Sequence, residues 1–269
     1  MDWQPGFWDV SKDEYYLQKD YVSASMLSDF RENREMFFRT HVERSFEAEK
    51  PKHFGFGTAF HVAILEPEKY DAEVAVAPSV DMRTNKGKEA FAEFSAANVD
   101  KHIISAADHE LIVRMRDVLM SNADAVELLS VPRRTEQPAR WVNEETGLWS
   151  RCMYDGILFT GDVIDLKSAS TGDPRSWARD AGNFGYHRKQ AWYDDGRTAA
   201  GLSGDFLFIV VSKEQFPRAF VARLDPDDVE VGRRQNLDDL VAYQACLDME
   251  RWAAPSGILD LKIPFYALE

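Results

Sequence analysis

Positive charge, cysteine and long apolar runs are all scarce in this chain. Lys and Arg number 32 against 46 Asp and Glu, a net charge of −14. Affinity for nucleic acid comes largely from Lys and Arg neutralising phosphates, so this balance weighs against DNA as a ligand of the whole surface. Net charge governs solubility and long-range steering, however, and leaves a local groove free to be basic. The two cysteines, Cys152 and Cys246, lie far apart. They exclude a four-cysteine zinc or iron–sulfur site within one chain and read as buried thiols of a reducing cytoplasm. No apolar run approaches the roughly 18 residues that span a bilayer, so no membrane segment is expected. The stretch up to Tyr15 mixes Trp, Asp, Lys and Glu, and without a basic segment leading into an apolar one no secretory signal is expected there. Repeats and low-complexity tracts are also missing.

Apolar residues are well supplied, at 45% of the chain with 12% aromatic, enough for a packed core rather than a disordered chain. The first half reads as helical. Ser25 to Phe46 carries Leu27, Phe30, Phe37 and Phe38 on a rough helical stripe. Phe56 to Leu65 is dense and apolar and stops at Glu66-Pro67, which suits a buried helix ended by proline. Ala107 to Leu129, with Leu111, Ile112, Met115, Val118, Leu119, Val126 and Leu129, is the clearest amphipathic helix.

Near Thr135 the period changes. Gln137 to Val142, Trp149 to Leu158 and Asp162 to Ser168 are short apolar or alternating segments parted by turn-like stretches, an antiparallel meander of three strands. A helix follows over about Tyr186 to Ala200, then a strand pair, Asp205 to Ser212 and Arg218 to Leu224. A last helix runs from Asp225-Pro226 to about Trp252. The order predicts an α/β (α+β) fold, a central mixed sheet flanked by helices. With no convincing linker, residues 1–269 read as one domain, mainly helical to about 135 and carrying the sheet and final helix beyond it.

Chemistry gathers around residues 155 to 167. Asp165 and Lys167 lie at i and i+2 of a strand and emerge on one face. A hairpin turn at Thr160-Gly161 brings Asp155 alongside. Two converging carboxylates make an oxygen site for a hard cation such as Mg²⁺ (or Mn²⁺), and the Leu166 carbonyl can add a ligand. A lysine beside that cation can hold the attacking water and offset charge developing on a phosphate. Such an acid–base alternation also occurs on solvated strand faces. Here Val163, Ile164 and Leu166 mark a central strand, where a charged pair is costly unless paired or metal-bound. His61, far upstream on an apolar helix, is either a further ligand or a core histidine. Asp155, ahead of Gly156, is either a ligand or a turn residue.

At these residues the chain resembles the PD-(D/E)xK nuclease superfamily. Asp155, Asp165-Leu166-Lys167 and Gln190-Ala-Trp-Tyr193 carry the likeness. More narrowly it is similar to the exodeoxyribonuclease VIII-like enzymes of phages and bacteria, relatives of the lambda-type exonucleases. Further matching segments are Tyr21-Val-Ser-Ala-Ser25, Gly57-Thr-Ala-Phe-His61 with Leu65-Glu-Pro-Glu68, Arg83-Thr-Asn-Lys-Gly-Lys88, Glu145-Thr-Gly147, Gly161 to Lys167, and Pro264-Phe-Tyr near the end. The resemblance implies a restriction-endonuclease-like core with His61, Asp155, Asp165 and the Leu166 carbonyl on one or two Mg²⁺. Lys167 would position the water, and Gln190 would support the site with Tyr193 beside it. The implied reaction is phosphodiester hydrolysis releasing 5′-phosphorylated nucleotides, typically 5′ to 3′ on linear duplex DNA, leaving a single strand for recombination. Relatives of this kind form trimeric or tetrameric rings on DNA, and a single-strand annealing protein is an implied partner. Two positions before Asp155, where relatives are often basic, stands Met153; the nearest upstream base is Arg151. For DNA contacts the candidates are a loop with Arg83, Lys86 and Lys88; the groove wall Arg175, Arg179, His187, Arg188 and Lys189; and Ser25 with Arg31 and Arg34, placed to receive a 5′-phosphate. Arg233 and Arg234 read as a solvated helix face.

Overall fold

The computed structural model describes residues 5–46, 54–252, 258, 260 and 262; the Pro264-Phe-Tyr segment lies outside them. In chain order the elements are β1 (Gly6–Phe7), α1 (Lys12–Leu17), α2 (Ala24–Glu32), α3 (Arg34–Phe37), a π-helical turn (Phe38–Val42), α4 (Phe54–Leu65), a 3₁₀ turn (Pro67–Lys69) and α5 (Tyr70–Glu73). Next come β2 (Val74–Val76), α6 (Asn85–Ala97), β3 (His102–Ile104), α7 (Ala106–Leu119), α8 (Ala123–Ser130), β4 (Arg133–Val142), β5 (Trp149–Leu158) and β6 (Val163–Ala169). The chain finishes with α9 (Pro174–Asn183), α10 (Tyr186–Ala199), β7 (Phe206–Ser212), β8 (Ala219–Ala222) and α11 (Pro226–Met249).

Six strands form one mixed sheet in the order β1-β4-β5-β6-β7-β8. All neighbours run antiparallel except β6 and β7, which pair in parallel from Val163↔Phe206 to Ala169↔Ser212. The parallel pair is joined through α9 and α10, the crossover that parallel strands require. Alternation along β6 and β7 divides the core. Val163, Phe206, Phe208 and Val210 pack with Leu27, Phe30, Trp177, Trp192 and Tyr243 of α2, α9, α10 and α11. Ile164, Leu166, Ile209 and Val211 pack with Phe60, Ile112, Met115 and Leu119 of α4 and α7. By parity, Asp165 and Lys167 share the face covered by α10, while α4 covers the other.

Local signals account for most helix boundaries. Ser23 caps α2 through the Met26 amide, Ser105 and Asp108 form a capping box on α7, and Asp225 with Pro226 opens α11. Three expectations need correction. The helix over Ser25 to Phe46 breaks at Asn33, whose extended backbone (φ −155°) ends α2 and whose side chain caps α3. The helix over Ala107 to Leu129 divides at Asn122, where the side chain caps α8 through the Ala125 amide. The segment Arg83 to Lys88 is a loop only at its start. Thr84 caps α6, so Lys86 and Lys88 lie in a helical first turn. Strand β1, the small parallel pair of β2 with β3, and the helices α1 and α9 went unforeseen. No helix of the described residues is long and apolar enough to cross a membrane.

Candidate active site

The sheet splays where β5 meets β6. These strands pair only at Gly156↔Ile164 and Ile157↔Val163. Beyond that point the Leu166 amide, which would bond to β5 in a continued ladder, donates instead to Asp155 Oδ2 at 2.9 Å. Asp155 lies within β5, not at its end. Glu136, opposite it on β4, takes a left-handed backbone (φ +48°) and drops out of the β4–β5 register. The N–H and C=O of one strand residue point the same way, so the Leu166 carbonyl also faces the opened gap. Gly161, at φ +94° in the preceding turn, comes so close to Ser203 that a Cβ would sit 2.4 Å from its carbonyl oxygen. Only glycine fits that approach, which fixes where β6 begins.

Asp165 is 1% exposed and takes an ammonium on each oxygen, Lys167 on Oδ2 and Lys189 on Oδ1, the latter at 3.0 Å. Burial alone would raise the Asp165 carboxyl, but the two ammoniums outweigh it and hold the group well below the usual carboxylate range. Burial pulls Lys167 below its ordinary value, while Lys189, despite the same tendency, is raised by the charge of Asp165. Aromatic rings hold both lysines, with Tyr186 5.3 Å from the Lys167 nitrogen and Tyr193 5.0 Å from that of Lys189.

From the opposite layer, α4 presents His61, whose Nδ1 stands 3.7 Å from Asp155 Oδ2. That is beyond hydrogen-bonding distance. An imidazole nitrogen and a carboxylate oxygen facing each other unbonded fit a divalent cation as two of its ligands, with the Leu166 carbonyl a third. Asp165 faces its lysines instead, and no three His, Cys, Asp or Glu side chains among the described residues already form a metal cage. Each Asp165 oxygen already accepts from an ammonium, so a cation joining Asp165 there would share an oxygen with a lysine or take its place.

The downstream helix contributes differently from expectation. Gln190 is buried, and its carbonyl oxygen has no hydrogen-bond partner among the described residues. The residue of α10 that reaches Asp165 is Lys189, which from sequence alone is only one of the general basic groups. Helical spacing carried the signal. Lys189 shares the sheet-facing side with Trp192, Tyr193 and Gly196, whereas Gln190 shares a side with Asp194 and Arg197. At Gly196 a Cβ would stand 2.8 Å from the Tyr154 hydroxyl and from the Trp141 ring. This residue presses α10 onto the sheet and brings Lys189 within reach of Asp165. Tyr193 packs beneath Lys189 against Tyr154 and Phe206.

The remaining DNA-contact candidates scatter. Arg188 ties α10 to α11 through Asp239, the Gln235 carbonyl at 2.9 Å and Asn236 at 3.3 Å. Arg31 shares Asp239 at 3.2 Å, and the Arg34 guanidinium lies 4.9 Å over the Phe30 ring. Ser25 is exposed and bonds Ser23 at 3.0 Å. Arg83, Lys86 and Lys88 are exposed at the start of α6, and His187 bonds Gln235 at 3.2 Å. Arg151 is buried beneath the N-terminal segment, where it donates to the carbonyls of Tyr15 and Gln18.

Comparison with known proteins agrees with this architecture. A family model described as a PDDEXK-like domain of unknown function (DUF3799) matches residues 23–263. Among solved structures, a crystal structure of a protein from Eubacterium rectale, named provisionally as an exonuclease, superposes with a TM-score of 0.63. It covers 97% of this chain and 98% of its own, at 13% identity. That likeness is one of fold, the restriction-endonuclease-like arrangement expected from the sequence. No curated protein matches the chain.

Proposed function

The chain belongs to this PDDEXK-like family, and we propose that it is a metal-dependent nuclease that hydrolyses DNA phosphodiesters. One observation carries the reading. Asp155 and the Asp165–Lys167 pair meet where β5 and β6 part, with His61 across the gap. A buried carboxylate–lysine pair on an inner strand is costly, and a fold keeps it where chemistry uses it.

Asp155, His61 and the Leu166 carbonyl would hold the cation, joined by Asp165. Bound there, Mg²⁺ or Mn²⁺ would supply positive charge against the phosphate oxygens and acidify the attacking water. Lys167, braced against Tyr186 and Phe208, is placed to orient that water and to meet charge developing on the phosphate. The surrounding apolar strand residues exclude bulk water and strengthen each of these interactions.

The finer reading is an exonuclease that digests linear duplex from 5′ ends, acts in recombination beside a single-strand annealing protein, and encloses DNA in a ring of copies. It rests on the resemblance of motifs, and the name of the Eubacterium rectale protein agrees with the exonuclease part alone. A ring would turn the local cations inward and reconcile the net charge of −14 with a DNA substrate. One domain over 1–269 goes with this reading.

The test is digestion of end-labelled linear and closed circular duplexes with Mg²⁺ or Mn²⁺. The expected result is metal-dependent loss of the linear substrate with the circle intact. Cutting of the circle would make the protein an endonuclease of the same fold. Survival of both at high protein and either metal would refute the nuclease reading.

A further inference from the structure

Lys167 alone would meet the needs of the site, yet a second ammonium is present. Asp165 has no oxygen free of a cation, since Lys167 holds Oδ2 and Lys189 holds Oδ1 at 3.0 Å. The charges of Asp155, Asp165, Lys167 and Lys189 sum to zero. A divalent ion entering such a site meets no net attraction and two like charges a few ångströms away.

The two lysines differ in freedom. Lys167 is 13% exposed and lies against the stacked rings of Tyr186 and Phe208, whereas Lys189 is 31% exposed and rests on one ring, Tyr193. Lysine carries a compact, strongly hydrated charge on a flexible stem, so the more exposed one can exchange a carboxylate for water. Its oxygen on Asp165 is then the one a cation can take.

From this geometry we propose that Lys189 is a built-in competitor of the metal. Its ammonium neutralises Asp165 when no cation is bound, and a divalent ion must displace it to gain Asp165 as a ligand. Lys189 thereby sets how much metal the protein needs. The proposal rests on the reading above in taking Asp155 and Asp165 as the ligands. Lys189 acts here as a positioning residue, through Asp165.

Mn²⁺ titration calorimetry on the full chain, without DNA, tests it. Lys189→Gln and Lys189→Met remove the charge, and Lys189→Arg keeps it. The charge-neutral variants should bind Mn²⁺ roughly ten- to a hundredfold more tightly than the parent, and the arginine variant within a few-fold of it. Melting gives a second readout. Without metal the neutral variants should melt below the parent, because Asp165 has lost a counter-ion, and saturating Mn²⁺ should raise their Tm by more than it raises the parent's. Equal or weaker Mn²⁺ binding by both neutral variants, with the parent binding Mn²⁺ and digesting DNA, would overturn the displacement and leave the nuclease reading standing. No Mn²⁺ binding by any form, together with no digestion, would overturn both.

Discussion

β5 and β6 each carry a cationic side chain into the interior, and each solves the problem of buried charge in its own way. Arg151 on β5 is 8% exposed. Its guanidinium meets the backbone carbonyls of Tyr15 and Gln18 and lies 4.5 Å from the Tyr15 ring, and no carboxylate of the described residues pairs with it. Burial pulls it below the ordinary arginine value. Lys167 on β6 instead meets a fully buried carboxylate that a second lysine shares, at the point where strand pairing stops. The first arrangement is closed, since its partners are main-chain atoms that cannot leave. The second is open to exchange, since its partners are charges that a cation or a phosphate can replace. A buried charge therefore marks a site when its partners are exchangeable and an opening lies beside it, and marks scaffolding when they are not.

Exchanging the roles of the two cations breaks or sharpens this contrast. The largest effect belongs to Lys167→Ala. DNA cleavage should fall about a thousandfold or more. The melting temperature should fall by only a few degrees, as for the Lys189 variants, because one ammonium remains on Asp165. Digestion rates and melting curves measured on the same preparation check both halves. A folded variant that cleaves as well as the parent would remove Lys167 from the chemistry.

Arg151→Met should do the reverse. It strands the Gln18 carbonyl, at a cost of about 1–3 kcal/mol when unpaired, and takes one of two donors from the Tyr15 carbonyl, which keeps the Gln18 amide. The melting temperature should drop by roughly 3–12 °C. Cleavage per folded molecule, assayed well below the new midpoint, should be unchanged. A loss of cleavage without a loss of stability would mean that Arg151 reaches the substrate, against its position beneath the N-terminal segment.

The contrast also explains what was legible in the sequence. Asp155, Asp165 and Lys167 were readable because strand alternation and one turn bring them together, both local properties of the chain. The long elements β5, β6, α10 and α11 stood out through sustained periodicity. Strands of two or three residues, such as β1 and β2, are too short to show a period. The break at Asn33 is chosen by a single cap inside an otherwise helical stripe. Lys189 was harder. A lysine among Arg188, His187 and Gln190 looks like one more surface base until it is known that α10 buries the face carrying Trp192 and Gly196. Gln190 was favoured by resemblance of motif, one residue away from the position the helix turns toward Asp165.

The smallest effect concerns Cys152, a third ionisable group in the same strands, with no cation bonded to it at all. Its thiol lies against α10, where a Cβ on Gly196 would be 3.0 Å from the sulfur, and burial pushes it up to about 12. An unfolded cysteine titrates near 8.5. Between these values the folded chain keeps a proton that the unfolded chain sheds, so this contribution to stability is complete below about pH 8.5 and declines as pH rises toward 12. From pH 7.5 to 9.5 the parent should lose about 1 kcal/mol more unfolding free energy than Cys152→Ala, as read from urea curves at both pH values. Equal losses would mean that the thiol is not held neutral by burial. A loss of the expected size would extend the contrast to three groups. Cys152 stays neutral because burial outweighs what nearby groups could offer a thiolate, Arg151 stays charged on fixed carbonyls, and of the three only Lys167 stays charged on a partner that can let it go.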